Sequence, residues 1–214
     1  MMTKIIGNLS RGLAFVLSAP AGTGKTTLVK MLMTEFSCIA ESISYTTRPI
    51  RAQEVEGRDY HFIGKGAFEG IKKEDGFLEN VSLYEYSYGT KRADLEDSLN
   101  KGKHVFLVID TQGALKLKDQ GFEATYIFVG PPSIEELRRR LNYRQTDSAS
   151  SIETRLKIAE EEISKAKFYD YHLINKDLSD TYRVLKSILI CKEHEKLTNL
   201  KKEGLIPWNI CQIT

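Results

Sequence analysis

The stretch Ala19-Pro20-Ala21-Gly22-Thr23-Gly24-Lys25-Thr26-Thr27 constrains this chain more than any other. It matches the G-x-x-x-x-G-K-[ST] phosphate loop, with Ala19 in place of the leading glycine. Its flanks are the ones the motif needs. The apolar run Leu13–Leu17 precedes it as a buried strand would, and Lys25–Phe36 follows with Leu28, Leu32 and Phe36 on one helical face. Glycines let backbone N–H groups curl around phosphate oxygens, and the helix N-terminus adds a positive dipole. Lys25 would bridge the outer two phosphates, and the Thr26 hydroxyl would face Mg²⁺. The methyl group of Ala19 affects only the entry to the turn. The chain is expected to bind a nucleoside triphosphate; the loop does not say for which reaction.

The rest of the chain alternates apolar runs with helix-like segments, the pattern of a parallel α/β sheet. Val105–Ile109, Tyr126–Val129 and Tyr171–Ile174 join Leu13–Leu17 as expected strands. Helices are expected over Ser133–Leu141, Glu153–Lys167 and Ser179–Lys196, the first opened by a capping box of Ser133 and Glu136. From Ser42 to Lys91 the chain changes character: Tyr, Phe and Gly are dense and no long helix is indicated. Ile43–Thr46, Tyr60–Ile63 and Phe77–Val81 read as strands of a small antiparallel insertion. The polar stretch from Leu141 to Ser151 reads as a second mobile segment, and Leu197–Thr214 has no clear period.

Charge is nearly balanced, 31 basic residues against 29 acidic, so no global field draws the protein to nucleic acid and any anion site is local. The first apolar run is too short for a secretory signal of about 7–15 residues. No later run approaches the roughly 18 of a membrane helix. Cys38, Cys191 and Cys211 lie far apart without metal-ligand spacing and read as reduced thiols. A soluble, cytoplasmic protein with no nucleic-acid or membrane partner is expected. His61, His104, His172 and His194 are scattered and read as structural or surface residues. In the insertion, Arg48 and Arg51 bracket a proline, and Tyr60 and Tyr88 follow. Two guanidiniums and tyrosine hydroxyls can cradle a phosphate dianion. On residue types alone, a solvated basic loop over core tyrosines explains them at least as well.

Taken in order, these segments resemble the guanylate kinase family. The phosphate loop from Ser18, Ser44–Arg51, Glu54–Tyr60, Phe77–Glu79, Tyr86–Thr90, Ile109–Gly113, and Pro131–Ser133 with Leu137 and Arg140 all fit, over about residues 13–190. The resemblance implies an α/β fold: a P-loop NTPase three-layer core with a central parallel sheet, a small antiparallel β-rich GMP-binding insertion and a lid. It implies that residues 1–41, 92–132 and 157–196 form the core, 42–91 the insertion, 133–156 the lid and 197–214 a tail of no assigned role. It implies transfer of the γ-phosphate of ATP to GMP with Mg²⁺ as cofactor, by a monomer or homodimer.

Carried onto this sequence, the family's pattern assigns Ala19 through Thr27 to ATP. Arg48, Arg51, Tyr60 and Tyr88 would hold the GMP phosphate, with Gly89 among the GMP-binding positions. Ser44, Glu79, Thr90 and Asp110 would read guanine, and Thr26 and Asp110 would hold the metal. Arg140, Arg144 and Arg155 would clamp the ATP phosphates and the transferring group, while Asn175 would contact adenine. One position departs: Val108 stands where an acidic residue is expected, leaving Mg²⁺ to Thr26, Asp110 and the phosphates. The chemistry is consistent. Guanine's N1–H and N2 amino donors suit acceptor-only carboxylates, and such a site rejects the wrong base by roughly 10⁴.

Three other readings are weaker. Asp110-Thr111-Gln112-Gly113 and Asn175-Lys176-Asp177 look like GTPase motifs, but Leu178 stands where the second needs Asp. A non-catalytic guanylate-kinase-like module has no need of Lys25, Thr26 and Arg140. A kinase of a phosphorylated sugar has no need of Glu79 and Asp110 placed for guanine.

Overall fold

In the computed structural model, which describes residues 4–83, 85–143 and 149–206 without the side chains of 149–151, the run before the phosphate loop forms strand β1 (Ala14–Ser18), buried throughout. Successive side chains of a strand point to opposite faces. Phe15 and Leu17 accordingly join one core, with Leu28, Leu32, Leu185 and Leu189. Ala14 and Val16 join another, with Leu95, Leu99, Ala114 and Leu117. A strand apolar on both faces belongs in the middle of a sheet covered by helices on each side, so β1 by itself calls for three layers.

The chain continues through α1 (Lys25–Glu35), β2 (Ile39–Glu41), β3 (Tyr45–Thr46), β4 (His61–Phe62), α2 (Lys65–Lys73), β5 (Phe77–Leu83) and β6 (Tyr86–Lys91). It then forms α3 (Arg92–Asn100), β7 (His104–Val108), α4 (Thr111–Asp119), β8 (Thr125–Gly130), α5 (Ile134–Tyr143), α6 (Ala149–Ser164), β9 (Tyr171–Ile174) and α7 (Leu178–Lys202). The central sheet has the order β2-β7-β1-β8-β9 and every pair in it is parallel. Helices α1 and α7 cover one face, α3 and α4 the other. Among the described residues, no helix is long and apolar enough to cross a membrane.

A second sheet, β4-β3-β6-β5, is antiparallel at β3–β6 and β5–β6 but parallel at β3–β4. Parallel neighbours need a long crossover, and residues 47–60 supply it. That crossover carries Arg48, Arg51 and Tyr60.

Several elements go beyond the expected pattern. Strand β2 is only three residues long. Helices α2, α3 and α4 are short, and their signals are single pairs such as Leu95 and Leu99. Helix α7 runs on to Lys202, past the start of the stretch with no period, because Leu197 is still buried. Half of the capping box forms: Ser133 Oγ accepts from the Glu136 amide at 3.2 Å, while the Glu136 carboxylate turns to Arg139 and Arg140. Helices α5 and α6 pack through their own small core of Leu137, Leu141, Leu156 and Ala159. Residues 144–148, inside the segment expected to be mobile, lie outside the described residues.

One buried polar knot closes the fold. His104 and Glu193 are both 0% exposed, with His104 Nε2 2.5 Å from the carboxylate. His104 Nδ1 accepts from the Leu13 amide, which places the ring proton on Nε2, donating to Glu193. The same carboxylate accepts from the amides of Gly7 and Asn8, tying the N-terminal segment to α7. Burial pushes Glu193 upward, but His104 and the two amides outweigh it and hold the carboxyl below its ordinary value. The unfolded chain therefore takes up the proton first, and this stability, full above pH 4.5, is lost as pH falls through the lower folded value. Glu193→Gln should cost about 3 kcal/mol at neutral pH. It should also flatten the acid-induced loss, as read from denaturant unfolding across a pH series.

Candidate functional site

The phosphate loop is set by two glycines and a lysine. Gly22 and Gly24 have φ of 92° and 94°, the left-handed region that side chains resist. Lys25 Nζ folds back onto the Ala19 carbonyl at 2.5 Å, and Thr23 Oγ1 donates to the Pro20 carbonyl at 2.7 Å. Helix α1 starts from Gly24 with no side-chain cap, so its positive end is turned to the loop. Thr26 and Thr27 are exposed on its first turn.

Asn175, just past the end of β9, braces this loop from behind. It is 4% exposed. Its Nδ2 donates to the Thr23 carbonyl at 2.7 Å and its Oδ1 accepts from Thr181 Oγ1 at 3.1 Å. A side chain on Gly24 would meet the Asn175 amide at 2.9 Å, a second reason for glycine there. Expected at adenine, Asn175 here donates to Thr23 and accepts from Thr181, supplying the donor that a buried carbonyl in a tight loop needs. The Asn175 carbonyl accepts from Arg140 Nη2 at 3.0 Å, and Arg140 Nε is held by Glu136 at 2.8 Å. Gly22, Arg139, Arg140 and Tyr143 line a cleft of about 370 Å³ over the loop. Arg155, on α6, is half-buried. Arg144 lies outside the described residues.

On the crossover between β3 and β4, Arg48 is 8% exposed and its guanidinium carbon lies 5.4 Å and 5.6 Å from the ring centres of Tyr60 and Phe62. Tyr60 and Tyr88 stand edge to face, 5.9 Å apart. Arg51 is exposed, with its backbone N–H on Glu54 at 2.9 Å. The Ser44 carbonyl accepts from the His61 amide across β3–β4. Gly89 lies beneath Phe77, where a Cβ would come within 2.9 Å of the ring.

Glu79, on β5, is 3% exposed and accepts from Thr90 Oγ1 at 2.7 Å. Its other oxygen faces Gly113, where a Cβ would sit 2.9 Å away. Asp110 caps α4 by accepting from that residue's amide at 2.8 Å, so the two carboxylates meet over one glycine. Burial drives the Glu79 carboxyl up to about 7; the Thr90 hydroxyl opposes this and the Asp110 charge adds to it. Glu162 on α6 is likewise pushed up to about 7, by burial first, with Lys25 opposing and Asp110 reinforcing. Asp110 therefore has the base-reading candidate on one flank and the phosphate-loop lysine's neighbour on the other. Glu162 was invisible in the sequence, one acid among many in a charge-alternating helix.

A phosphate loop at the end of a parallel sheet, beside a small second sheet with a buried arginine next to it, defines a P-loop protein. The guanylate kinase family model matches residues 11–192. The chain is 52% identical over 188 residues to the guanylate kinase of Protochlamydia amoebophila, spanning 88% of this chain and 95% of that one. It is 40% identical to a guanylate kinase of Clostridium perfringens, over 90% and 89% of the two chains. The crystal structure of guanylate kinase from Anaplasma phagocytophilum superposes with a TM-score of 0.69 at 35% identity, covering 86% and 87%. The chain belongs to the guanylate kinase family.

Asn175→Ala leaves the Thr23 carbonyl without its donor and should lower stability by about 1–3 kcal/mol. It should also shrink the thermal shift produced by a non-hydrolysable ATP analogue. An undiminished shift would mean the loop does not need this brace.

Proposed function

We propose that this chain transfers the γ-phosphoryl group of ATP to GMP, giving ADP and GDP. The observation that supports it most is buried Glu79 facing the partly exposed Asp110, beside the Arg48 cradle. A carboxylate there accepts from guanine N1–H and the N2 amino group, while adenine offers an acceptor at N1 and leaves it unpaired. In this reading the crossover and second sheet, within residues 42–91, form the acceptor site. Residues 133–156 form a lid over the phosphate loop, and the remainder up to residue 196 is the rigid core.

The reaction needs no general base, because the GMP phosphate already presents an oxygen nucleophile. That oxygen bonds to the γ-phosphorus as the bond from phosphorus to the β–γ bridging oxygen breaks, and ADP leaves with the electron pair. The obstacle is charge. Lys25 and the first turn of α1 hold the donor phosphates, and Arg48 and Arg51, with Tyr60 and Tyr88, hold the acceptor. Arg140, Arg144 and Arg155 close on the transferring group, and cations fixed before the reaction supply the main stabilisation. Closure of lid and insertion would expel water first.

The donor set also suits Mg²⁺. Among the described residues no cluster of three or more His, Cys, Asp or Glu forms a closed cage. Mg²⁺ is commonly held by one or two protein oxygens plus water and phosphates. Thr26 and Asp110 would provide those oxygens, Asp110 having one carboxylate oxygen beyond its helix cap. When bound, the ion neutralises charge on the phosphates. Among the described residues Cys38 and Cys191 form no disulfide, which is consistent with a cytoplasmic location, and ATP and GMP are the partners in this reading.

A coupled assay of ADP release with GMP, AMP, UMP and CMP as separate acceptors should give turnover with GMP and little with the rest. Glu79→Gln should cut kcat/KM for GMP by on the order of 10²-fold or more while sparing ATP binding. Equal damage to both substrates would remove Glu79 from base reading. Turnover with a different acceptor would overturn the function itself.

A further inference from the structure

Arg48 is the one buried arginine among the described residues, and it already has an anionic partner within the chain. A guanidinium has two forked edges: the end formed by Nη1 and Nη2, and the side formed by Nε and Nη2. Glu54 takes the end. Nη1 donates to its Oε2 at 3.0 Å and Nη2 to its Oε1 at 2.7 Å. The second Nη1 hydrogen goes to the Pro49 carbonyl at 2.9 Å. Beyond these bonds the guanidinium also meets the Tyr88 hydroxyl, another expected phosphate ligand; its side, Nε–H with the second Nη2–H, is a fork that matches two phosphate oxygens.

The same carboxylate works a second time. Its Oε2 accepts the backbone N–H of Arg51 at 2.9 Å, fixing the point from which the other expected phosphate ligand leaves the chain. The Arg48 amide is fixed in turn by Thr46 Oγ1 at 3.2 Å. Above the guanidinium lie Tyr60 and Phe62. The Arg48 hydrogen bonds are the largest cause holding the Glu54 carboxyl below its usual range, so it stays charged near neutrality.

We propose that Glu54 is a positioning residue of the acceptor site: it grips Arg48 end-on so that the guanidinium offers its side edge to the phosphate of GMP, and it anchors Arg51 from the same carboxylate. This rests on the GMP reading above. An unpaired arginine samples many rotamers, and freezing it on binding weakens affinity. Glu54 removes that loss beforehand. Because it sits on the far end of the guanidinium, it does not occupy the place of the phosphate.

Glu54→Gln keeps the side chain's length but loses the charge and one of the two acceptors. It should raise KM for GMP by on the order of 10-fold, the weight of a charge-assisted hydrogen bond. KM for ATP and kcat should stay at wild-type values. Guanosine, which has no phosphate, should inhibit wild type and variant with the same Ki, a readout that general damage to the insertion would move. Glu54→Asp, which keeps the charge, should fall between the two, and it decides by the same measurements if the glutamine variant does not fold. An unchanged KM for GMP, or parallel losses for GMP and guanosine, would overturn the proposal. So would tighter GMP binding, which would make Glu54 a competitor of the phosphate. A wild-type enzyme inert toward GMP would overturn the functional reading instead, and is seen before any variant is made.

Discussion

A phosphate loop presents backbone N–H groups inward, and it keeps that shape only if something else fixes its carbonyls. Here Lys25 closes on Ala19, Thr23 on Pro20, and Asn175 reaches in from the end of β9 to hold Thr23. These contacts are available because β1 and β9 both flank β8, in parallel, and end at the same edge of the sheet. Parallel order puts the ends of strands distant in sequence side by side, so the loop after the first can be braced by the residue after the last. Arg140 joins the same point through the Asn175 carbonyl, which places an arginine of α5 beside the phosphate loop.

The cations expected to handle phosphate are ordered by carboxylates of the chain itself. Arg48 has Glu54 and Arg140 has Glu136. The Arg140–Glu136 pair is partly exposed and adds little to stability, while Arg48–Glu54 is largely buried. Their effect is on geometry: each fixes the direction of a fork that must meet oxygens at a set distance. On the other side of the site, Glu79 and Asp110 are carboxylates brought together; burial raises the Glu79 value first, and the Asp110 charge adds to it.

Much of this was legible in the sequence, for reasons that differ from part to part. The central strands could be read because a strand buried on both faces leaves an unbroken apolar run. The phosphate loop was readable because its chemistry leaves so few residue choices. Arg48, Arg51, Glu79 and Asp110 carried no period; residue types alone left them ambiguous, and only the ordered set of motifs singled them out. Contacts between distant residues left no trace. His104 and Glu193 are 89 residues apart, and no spacing rule links them. Asn175 was assigned to adenine only through the family resemblance, and nothing local in the sequence shows that Thr23 lies against it. Helices α3 and α4 were missed because nine residues hold too few apolar positions to show a 3.6-residue repeat.

The parallel pairing of β3 with β4 has a thermodynamic consequence. Each of these strands is two residues long, so residues 47–60 hang from a ladder with very few rungs. A segment held that lightly can open and reclose while the five-stranded sheet stays intact, and its amides would exchange with solvent ahead of those in β1. A ligand that binds only the closed form adds its binding free energy to that local equilibrium. An acceptor pocket built on this crossover, as proposed above, would then be most rigid when filled, its order supplied in part by the molecule it captures.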